Sequence, residues 1–283
     1  MTYVIHGATG AQGGPVAAAL IAAGKSVSAL TRKVDVVLPG ARVVAADCSS
    51  VAELTEAYRG ADGVFVHLPV VPEEDRLTYA RNIADAVRAA RPARVVFSTS
   101  GFPVDAPGDG ASAVSTLAGL LADSGVSHAV IAPELFLENL LLPPVVGPVR
   151  EQGVLGYPLP VGFGVSWASH LDIADAAVAL FERTDVGGVV AVGQYPAVTG
   201  PELAEAFGDR LGRDVVYRAI TPEEFRAFIA PMLGEGPAAD VAEGYRASAA
   251  LPDRSIAPER SAQKLLGVTP RSTSQWLADI GLE

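Results

Sequence analysis

The sequence has little of several residue types that mark particular classes of protein. Its 283 residues include a single cysteine, Cys48, so no disulfide can form within the chain, and no Cys/His spacing resembles a metal site. Lys and Arg number 21 against 32 Asp and Glu, and the net charge of −11 disfavours nucleic acid and anionic membranes as partners. These deficits predict a cytoplasmic protein without metal, nucleic-acid or membrane partners.

Long hydrophobic runs are also missing. Residues 2–24 carry no Asp, Glu, Lys or Arg, but glycines and a proline interrupt them and no basic residue precedes them. The second uncharged run, 152–171, contains four glycines and two prolines. Neither run predicts a membrane span, so we expect a soluble chain.

What the sequence does contain is an alternation of short β-branched runs with Ala-rich segments of helical length. Strands are predicted at 3–5, 26–30, 42–45, 64–66, 95–97 and 128–131, and helices at 15–23, 51–58, 73–90 and 111–124. Apolar strands that alternate with helices are typical of βαβ units whose sheet is covered on both faces. The pattern predicts an α/β fold with a Rossmann-like, doubly wound parallel sheet.

Beyond Pro133 the alternation fades. Five prolines fall between residues 143 and 160, which predicts an irregular path over the surface. Helices are then predicted at 171–182 and 201–211, with a strand at 188–192, and the apolar segment 215–217 precedes a helix start at 221–224. We expect residues 1–132, completed by about 168–195, to form the Rossmann domain, and 133–167 with 196–283 to form a smaller C-terminal α+β substrate lobe.

A glycine-rich segment, Gly-Ala-Thr-Gly-Ala-Gln-Gly at 7–13, lies directly between the first predicted strand and the first predicted helix. Glycines allow a tight turn and close approach of a pyrophosphate, to which the helix N-terminus offers N–H groups and partial positive charge. The alternative is that the glycines only permit close helix–sheet packing. The first interpretation predicts a dinucleotide site at Gly7, Thr9, Gly10, Ala11, Gln12 and Gly13.

The residues after the second predicted strand indicate which dinucleotide is bound. An NAD-selective protein places an acidic residue there, whereas this chain has Arg32 and Lys33, which can pair with a 2′-phosphate. The alternative is that both are solvated surface charges. Asp47, after the third strand, is predicted to bond the adenine amino group, or to cap the helix that begins at Val51. The expected cofactor is NADP(H).

Several further segments, taken with the glycine motif, resemble the NmrA-like family of atypical short-chain dehydrogenase/reductases, and especially its NADPH:quinone oxidoreductase branch. These segments are Gly-Ala-Thr-Gly at 7–10, Thr-Arg at 31–32, 63–69, 95–100, Phe-Leu-Glu-Asn at 136–139, Asp-Ile-Ala-Asp at 172–175, 199–203 and 211–213. The resemblance covers nearly the whole chain.

The resemblance implies that His67, Leu68 and Pro69 lie beside the cofactor, with Pro69 near its nicotinamide half. Ser98 and Ser100 leave the strand 95–97 at its carboxyl end, where a hydroxyl is expected to bond the nicotinamide ribose or the substrate. We assign Ser98 to the cofactor and Ser100 to the substrate.

The resemblance also implies that the segment from Pro133 to Asn139 lines a substrate cleft between the lobes. Phe136, Glu138 and Asn139 of this segment are therefore predicted substrate residues, and Phe102, two residues after Ser100, is predicted as another. Judged from residue chemistry alone, Glu138 and Asn139 are as well suited to capping backbone groups as to contacting a ligand.

The catalytic pair of carbonyl-reducing short-chain reductases is absent, since no Tyr in the sequence is followed by Lys four residues later. The helix predicted after Ser100 contains no Lys, and Ala132 stands where the family usually has Arg. The proton donor is therefore unassigned, and the catalytic candidates are His67, Ser100 and Tyr157.

Three functions are compatible with these losses. The first is NADPH-dependent hydride transfer to a quinone or similar small, apolar or aromatic electrophile, by a monomer or homodimer, because an electrophilic ring needs no Tyr-Lys pair. The second is a non-catalytic NADP(H)-binding regulator that senses redox state. The third is a non-redox isomerase or cyclase on the same scaffold.

Overall fold

The computed structural model describes residues 1–32, 36–104 and 111–283. Its strands are β1 Thr2–His6, β2 Ser26–Thr31, β3 Ala41–Ala45, β4 Gly63–His67, β5 Val95–Ser98, β6 His128–Pro133, β7 Leu135–Phe136, β8 Val154–Tyr157, β9 Trp167–Ala168, β10 Gly188–Val192 and β11 Val216–Ala219. Its α-helices are α1 Gly13–Ala22, α2 Val51–Tyr58, α3 Glu73–Ala90, α4 Ala113–Ala122, α5 Pro143–Gln152, α6 His170–Glu182, α7 Gly200–Leu211, α8 Pro222–Leu233, α9 Glu235–Ser248, α10 Ala262–Leu266 and α11 Thr273–Asp279. Short 3₁₀ helices span Leu137–Leu141 and Pro258–Arg260. None of the helices in these ranges is long and apolar enough to cross a membrane.

Seven parallel strands form the main sheet in the order β10-β6-β5-β4-β1-β2-β3. The predicted Rossmann-like α/β fold is confirmed. The strand order reverses between β1 and β4, which is the switch point where such sheets bind ligands beyond the carboxyl ends of their strands. Register brings these ends together, because His67 of β4 lies opposite Ser98 of β5.

Burial explains why these segments became strands. Every residue of β5 and the first four residues of β4 are buried, as expected for strands covered by helices on both faces. The helix α3 buries one stripe that includes Ala80, Ile83, Ala84 and Val87, at the spacing of an amphipathic helix. Sheet and helices share one apolar core.

The chain divides into two compact units. Unit 1 comprises Met1–Pro133, His170–Val192 and Pro258–Val268, and contains the seven-stranded sheet. Unit 2 comprises Glu134–Ser169, Gly193–Ala257 and Thr269–Glu283. The segment Pro258–Val268, which we expected in the smaller lobe, belongs to unit 1 because Ser261 forms a parallel bridge with Ala191 of β10.

Unit 2 contains two small parallel sheets, β11-β8 and β7-β9, and has its own apolar core. Here the expectation of an irregular path through the prolines was wrong, because 143–152 is the helix α5. Pro143 and Pro144 occupy the first turn, where proline removes no helical hydrogen bond. Pro148 lies inside the helix, and Gly153 ends it in a left-handed conformation.

Candidate functional site

The turn between β1 and α1 has a backbone that only glycine accommodates at two positions. Gly7 has φ +57°, and a Cβ there would lie 2.5 Å from His67 Nε2. A Cβ on Gly13 would overlap the carbonyl oxygens of His6 and Gly7. The middle glycine of the motif, Gly10, closes the turn by donating its N–H to the Gly7 carbonyl oxygen at 2.7 Å.

The same turn and the start of α1 have features that suit an anion. Thr9, Gly10 and Ala11 are exposed, and α1 begins two residues later. No acidic residue lies in the first turn of α1. The first N–H groups of a helix lack intrahelical acceptors and carry partial positive charge, so this end of α1 suits a pyrophosphate.

The pKa of Asp47, after β3, is lowered mainly by Ser49, whose backbone N–H donates to Asp47 Oδ1 at 2.8 Å. The charge of Arg32, which is exposed directly after β2, adds a smaller lowering. Asp47 is not the cap of α2, because Ser50 Oγ accepts from the backbone N–H of Glu53. The prediction for Lys33 lies outside the described residues.

His67 ends β4 with its ring packed against Gly7. Its Nδ1 lies 3.4 Å from the Leu68 carbonyl oxygen. Burial lowers its pKa, although the backbone carbonyls of Leu68 and His6 oppose that effect. His67 is therefore neutral near pH 7 and supports the turn on which the phosphates are expected; Leu68 is buried and Pro69 half-buried beside it.

Gln12 joins the glycine turn to the carboxyl end of β5. Its Oε1 accepts the hydroxyl hydrogen of Ser98 at 2.7 Å, and its Nε2 donates to Ser100 Oγ at 2.8 Å. Ser98 and Gln12 are buried, whereas Ser100 is half-buried and has φ +59°. Three residues that the sequence assigned to the cofactor or the substrate are thus joined in unit 1.

Phe102 lies two residues after Ser100 and makes a side-chain contact that the sequence did not predict. The guanidinium of Arg76, on α3, lies 4.3 Å from the centre of the Phe102 ring. Arg76 also forms an ion pair with Glu73, with Nη1 2.7 Å from Oε2. The other carboxylate oxygen of Glu73, Oε1, accepts a hydrogen bond from the backbone N–H of Ala113 at the start of α4. Phe102 itself remains exposed. Arg76 gave no sequence signal beyond its place among the charges of α3.

Below the turn, the histidine of β1 takes part in a buried polar cluster. His6 Nε2 and the Tyr58 hydroxyl lie 2.6 Å apart, and Cys48 Sγ is 3.9 Å from His6 Nδ1. Burial lowers the pKa of His6 to about 3, and the neighbouring His67 adds to the effect. Burial also raises the pKa of Cys48 to about 11. These groups are neutral at pH 7 and support the end of β1.

The other predicted substrate residues lie in unit 2. Phe136 is buried in β7, and Glu138 and Asn139 are in the 3₁₀ helix that follows. Glu138 Oε1 accepts the indole N–H of Trp276 at 3.3 Å. Asn139 accepts the N–H of Leu142 through its carbonyl oxygen. Both residues serve backbone or side-chain partners within unit 2.

Tyr157, a catalytic candidate, ends β8 rather than lying in a loop. Its hydroxyl forms a short hydrogen bond with that of Tyr245, and Trp167 and Phe225 pack around its ring. Burial raises the pKa of Tyr157 well above its usual value, and Tyr245 adds to this. A fully buried hydroxyl with this partner is poorly suited to donating a proton to a ligand.

The sequence pattern of the NmrA-like family matches residues 1–261. The chain belongs to the NmrA-like family. The resemblance inferred from its motifs is therefore confirmed. The match extends from β1 into the segment after α9, so both units contribute to it.

A curated relative is the NAD(P)H azoreductase of Xenophilus azovorans, 32% identical over 187 residues. The alignment covers 65% of this chain and 64% of the relative, so the match spans under two thirds of that enzyme's length. The protein shares its fold with the triphenylmethane reductase of Citrobacter sp. complexed with NADP(H), at a TM-score of 0.79 with 19% identity and 99% of each chain covered.

It also shares its fold with the NADPH-dependent quinone oxidoreductase of Escherichia coli complexed with NADPH. The TM-score is 0.76 and the identity 21%, with 99% of this chain and 100% of that one covered. At these identities the two structures establish the fold of this NmrA-like protein. The triphenylmethane reductase structure contains bound NADP(H), and the quinone oxidoreductase structure contains bound NADPH.

Proposed function

We propose that this protein is an NADPH-dependent reductase that transfers a hydride to a small conjugated acceptor, such as a quinone or an azo compound, without a Tyr-Lys pair. The observation that carries the proposal is the glycine turn, in which Gly13 has no room for a Cβ. This close packing brings the first turn of α1 to the end of β1, where a pyrophosphate would lie. The azoreductase, dye-reductase and quinone-reductase relatives support the reaction class.

The residues present fit NADP(H). The turn and the start of α1 would hold the pyrophosphate, and Arg32 would pair with the 2′-phosphate. Asp47, with its lowered pKa, offers an ionised acceptor for the adenine amino group. When bound, NADPH supplies the hydride.

The carboxyl ends of β4 and β5 supply the groups around the expected nicotinamide half. His67 is half-buried and, because burial lowers its pKa, neutral near pH 7, so it orients and packs rather than transferring a proton. The Ser98 hydroxyl can accept a hydrogen bond from a ribose, and the Ser100 hydroxyl can donate one to an acceptor oxygen. A conjugated acceptor delocalises the charge that it gains, so water can supply the final proton and no lysine-activated tyrosine is needed.

The test is NADPH oxidation, followed by nicotinamide absorbance, against small quinones, an azo dye and a triphenylmethane dye. We expect turnover with at least one apolar, aromatic acceptor and faster turnover with NADPH than with NADH. Tight NADPH binding without turnover on any acceptor would refute the reductase and favour the regulator. Conversion of an apolar compound without any change in nicotinamide absorbance would favour the isomerase or cyclase.

A further inference from the structure

Gln12 lies at the start of α1, but its side chain bonds to the segment that follows β5 and not to the helix. It is the N-cap residue of α1, yet its side chain makes no capping hydrogen bond. Ser, Thr, Asp and Asn at this position commonly satisfy one of the helix's own N–H groups with their side chains, whereas Gln12 does not. Both polar atoms of the Gln12 amide instead form hydrogen bonds with Ser98 and Ser100, which lie 86 and 88 residues further along the chain.

The two ends of the amide make the two hydroxyls chemically different. Ser98 donates its only hydroxyl hydrogen to Gln12 Oε1, so toward a ligand it can act only as an acceptor. Ser100 accepts from Gln12 Nε2, so its own hydroxyl hydrogen is left to be donated elsewhere. The Ser100 N–H faces Ser98 Oγ at 3.4 Å, which is consistent with an acceptor at Ser98.

The backbone at Ser100 shows that this arrangement is held against a local preference. Its φ of +59° is in the left-handed region, which is unfavourable for a non-glycine residue. The bond from Gln12 fixes the side chain of a residue in this conformation. Ser100 is half-buried, whereas Ser98 is buried, so Ser100 is the more accessible of the two hydroxyls.

We propose that Gln12 is a positioning residue that holds the Ser100 hydroxyl as a hydrogen-bond donor to the acceptor atom that becomes negatively charged during reduction. This inference rests on the proposed reductase function. With a quinone, the hydride supplied by NADPH delivers two electrons and one hydrogen, which gives NADP⁺ and a hydroquinone monoanion. Ser100 stabilises that oxyanion by a hydrogen bond, and water supplies the remaining proton.

The decisive variant is Gln12→Glu, because its hydrogen-bonding polarity depends on pH. A protonated Glu side chain can accept from Ser98 and donate to Ser100, as the amide does, whereas an ionised one accepts from both hydroxyls and takes the Ser100 hydrogen. We expect hydride transfer in Gln12→Glu to be close to wild type at acid pH. It should fall by about tenfold or more as the carboxyl ionises, since a hydrogen bond to a charged group is lost.

Three further variants separate positioning from general damage. Ser100→Ala should reduce the rate of hydride transfer by a similar factor at every pH. The double variant Gln12→Glu/Ser100→Ala should be no slower than Ser100→Ala alone, because Gln12 acts through Ser100. Gln152→Glu, at an exposed position of α5, is the matched control for the added charge and should have the wild-type pH profile. A Gln12→Glu profile parallel to wild type, or fully additive losses, would overturn the proposal.

A readout without turnover keeps this inference distinct from the proposed function. Binding of 4-nitrophenol to the NADP⁺-loaded protein is followed by its absorbance, which reports the ionisation of a phenolic oxygen that mimics the reduced acceptor. The wild-type protein should lower the pKa of the bound phenol, and Ser100→Ala and ionised Gln12→Glu should abolish that shift. Absence of a shift in the wild type overturns the donor role of Ser100, whereas a shift without NADPH oxidation refutes the reductase alone.

Discussion

Replacing Gly13 by alanine tests the packing on which the nucleotide site depends. A Cβ there would overlap the carbonyl oxygens of His6 and Gly7, which are backbone atoms and cannot rotate away. Overpacking of this kind costs about 1–3 kcal/mol, and alanine recovers at most about 1 kcal/mol through its greater helix propensity. The turn must move outward, and we expect NADPH to bind at least about tenfold more weakly, which corresponds to about 1.4 kcal/mol.

The neighbouring residue is a matched control in the same helix. A Cβ on Gly14 would find its nearest atom, the Ala8 carbonyl oxygen, at 3.6 Å, which is an ordinary contact. Gly14→Ala should therefore be neutral or slightly stabilising and should bind NADPH as the wild type does. Urea denaturation and NADPH fluorescence titration of both variants provide the comparison. Equal free energies of unfolding and equal affinities would refute the assignment of the turn.

Three other predictions concern charge, titration and the aromatic cluster of unit 2. Arg32→Asp should weaken binding of NADPH far more than that of NADH, whereas Arg59→Asp, an exposed charge reversal at the end of α2, should affect neither; equal loss for both nucleotides would contradict the role of Arg32. Between pH 6.5 and the folded-state pKa of about 3, His6 is protonated in the unfolded chain but not in the folded one. The free energy of unfolding should therefore decrease as the pH is lowered through this range, by up to about 1.4 kcal/mol per pH unit. Urea denaturation across this range should show a shallower dependence in His6→Gln, and an unchanged slope would argue against the buried neutral ring. Tyr157→Phe should lower the free energy of unfolding by about 1–2 kcal/mol, because the Tyr245 hydroxyl loses its partner, while NADPH oxidation persists; loss of turnover at unchanged stability would restore Tyr157 as a catalytic candidate.

Local patterns predicted the elements of unit 1 well because each depends on few neighbouring residues. The apolar runs of β4 and β5 indicated buried parallel strands, and the run from Val51 to Tyr58 is the helix α2 to the residue. Unit 2 was predicted less well. The prolines between residues 143 and 160 predict an irregular path, but the first turn of a helix tolerates proline, and sequence periodicity does not show where a helix begins.

The side-chain partners of the site could not be inferred, since they join residues that are far apart in sequence. The pattern indicated a role for Asp47 without revealing that its carboxylate is engaged by Ser49. It offered Tyr157 as a catalyst because nothing nearby in sequence shows that Tyr245 meets its hydroxyl, 88 residues away. Burial and pairing of this kind are consequences of how elements pack.

The sequence by itself determined the glycine turn, the order of strands and helices around it and the positive charge after β2. These features follow from backbone sterics and from hydrophobic spacing within short windows. Only the tertiary structure decided that His67 packs on Gly7 and that Gln12 gives Ser98 and Ser100 opposite hydrogen-bonding roles. Such roles depend on the register between parallel strands, which brings the end of β1 beside the ends of β4 and β5 through contacts that no local pattern encodes.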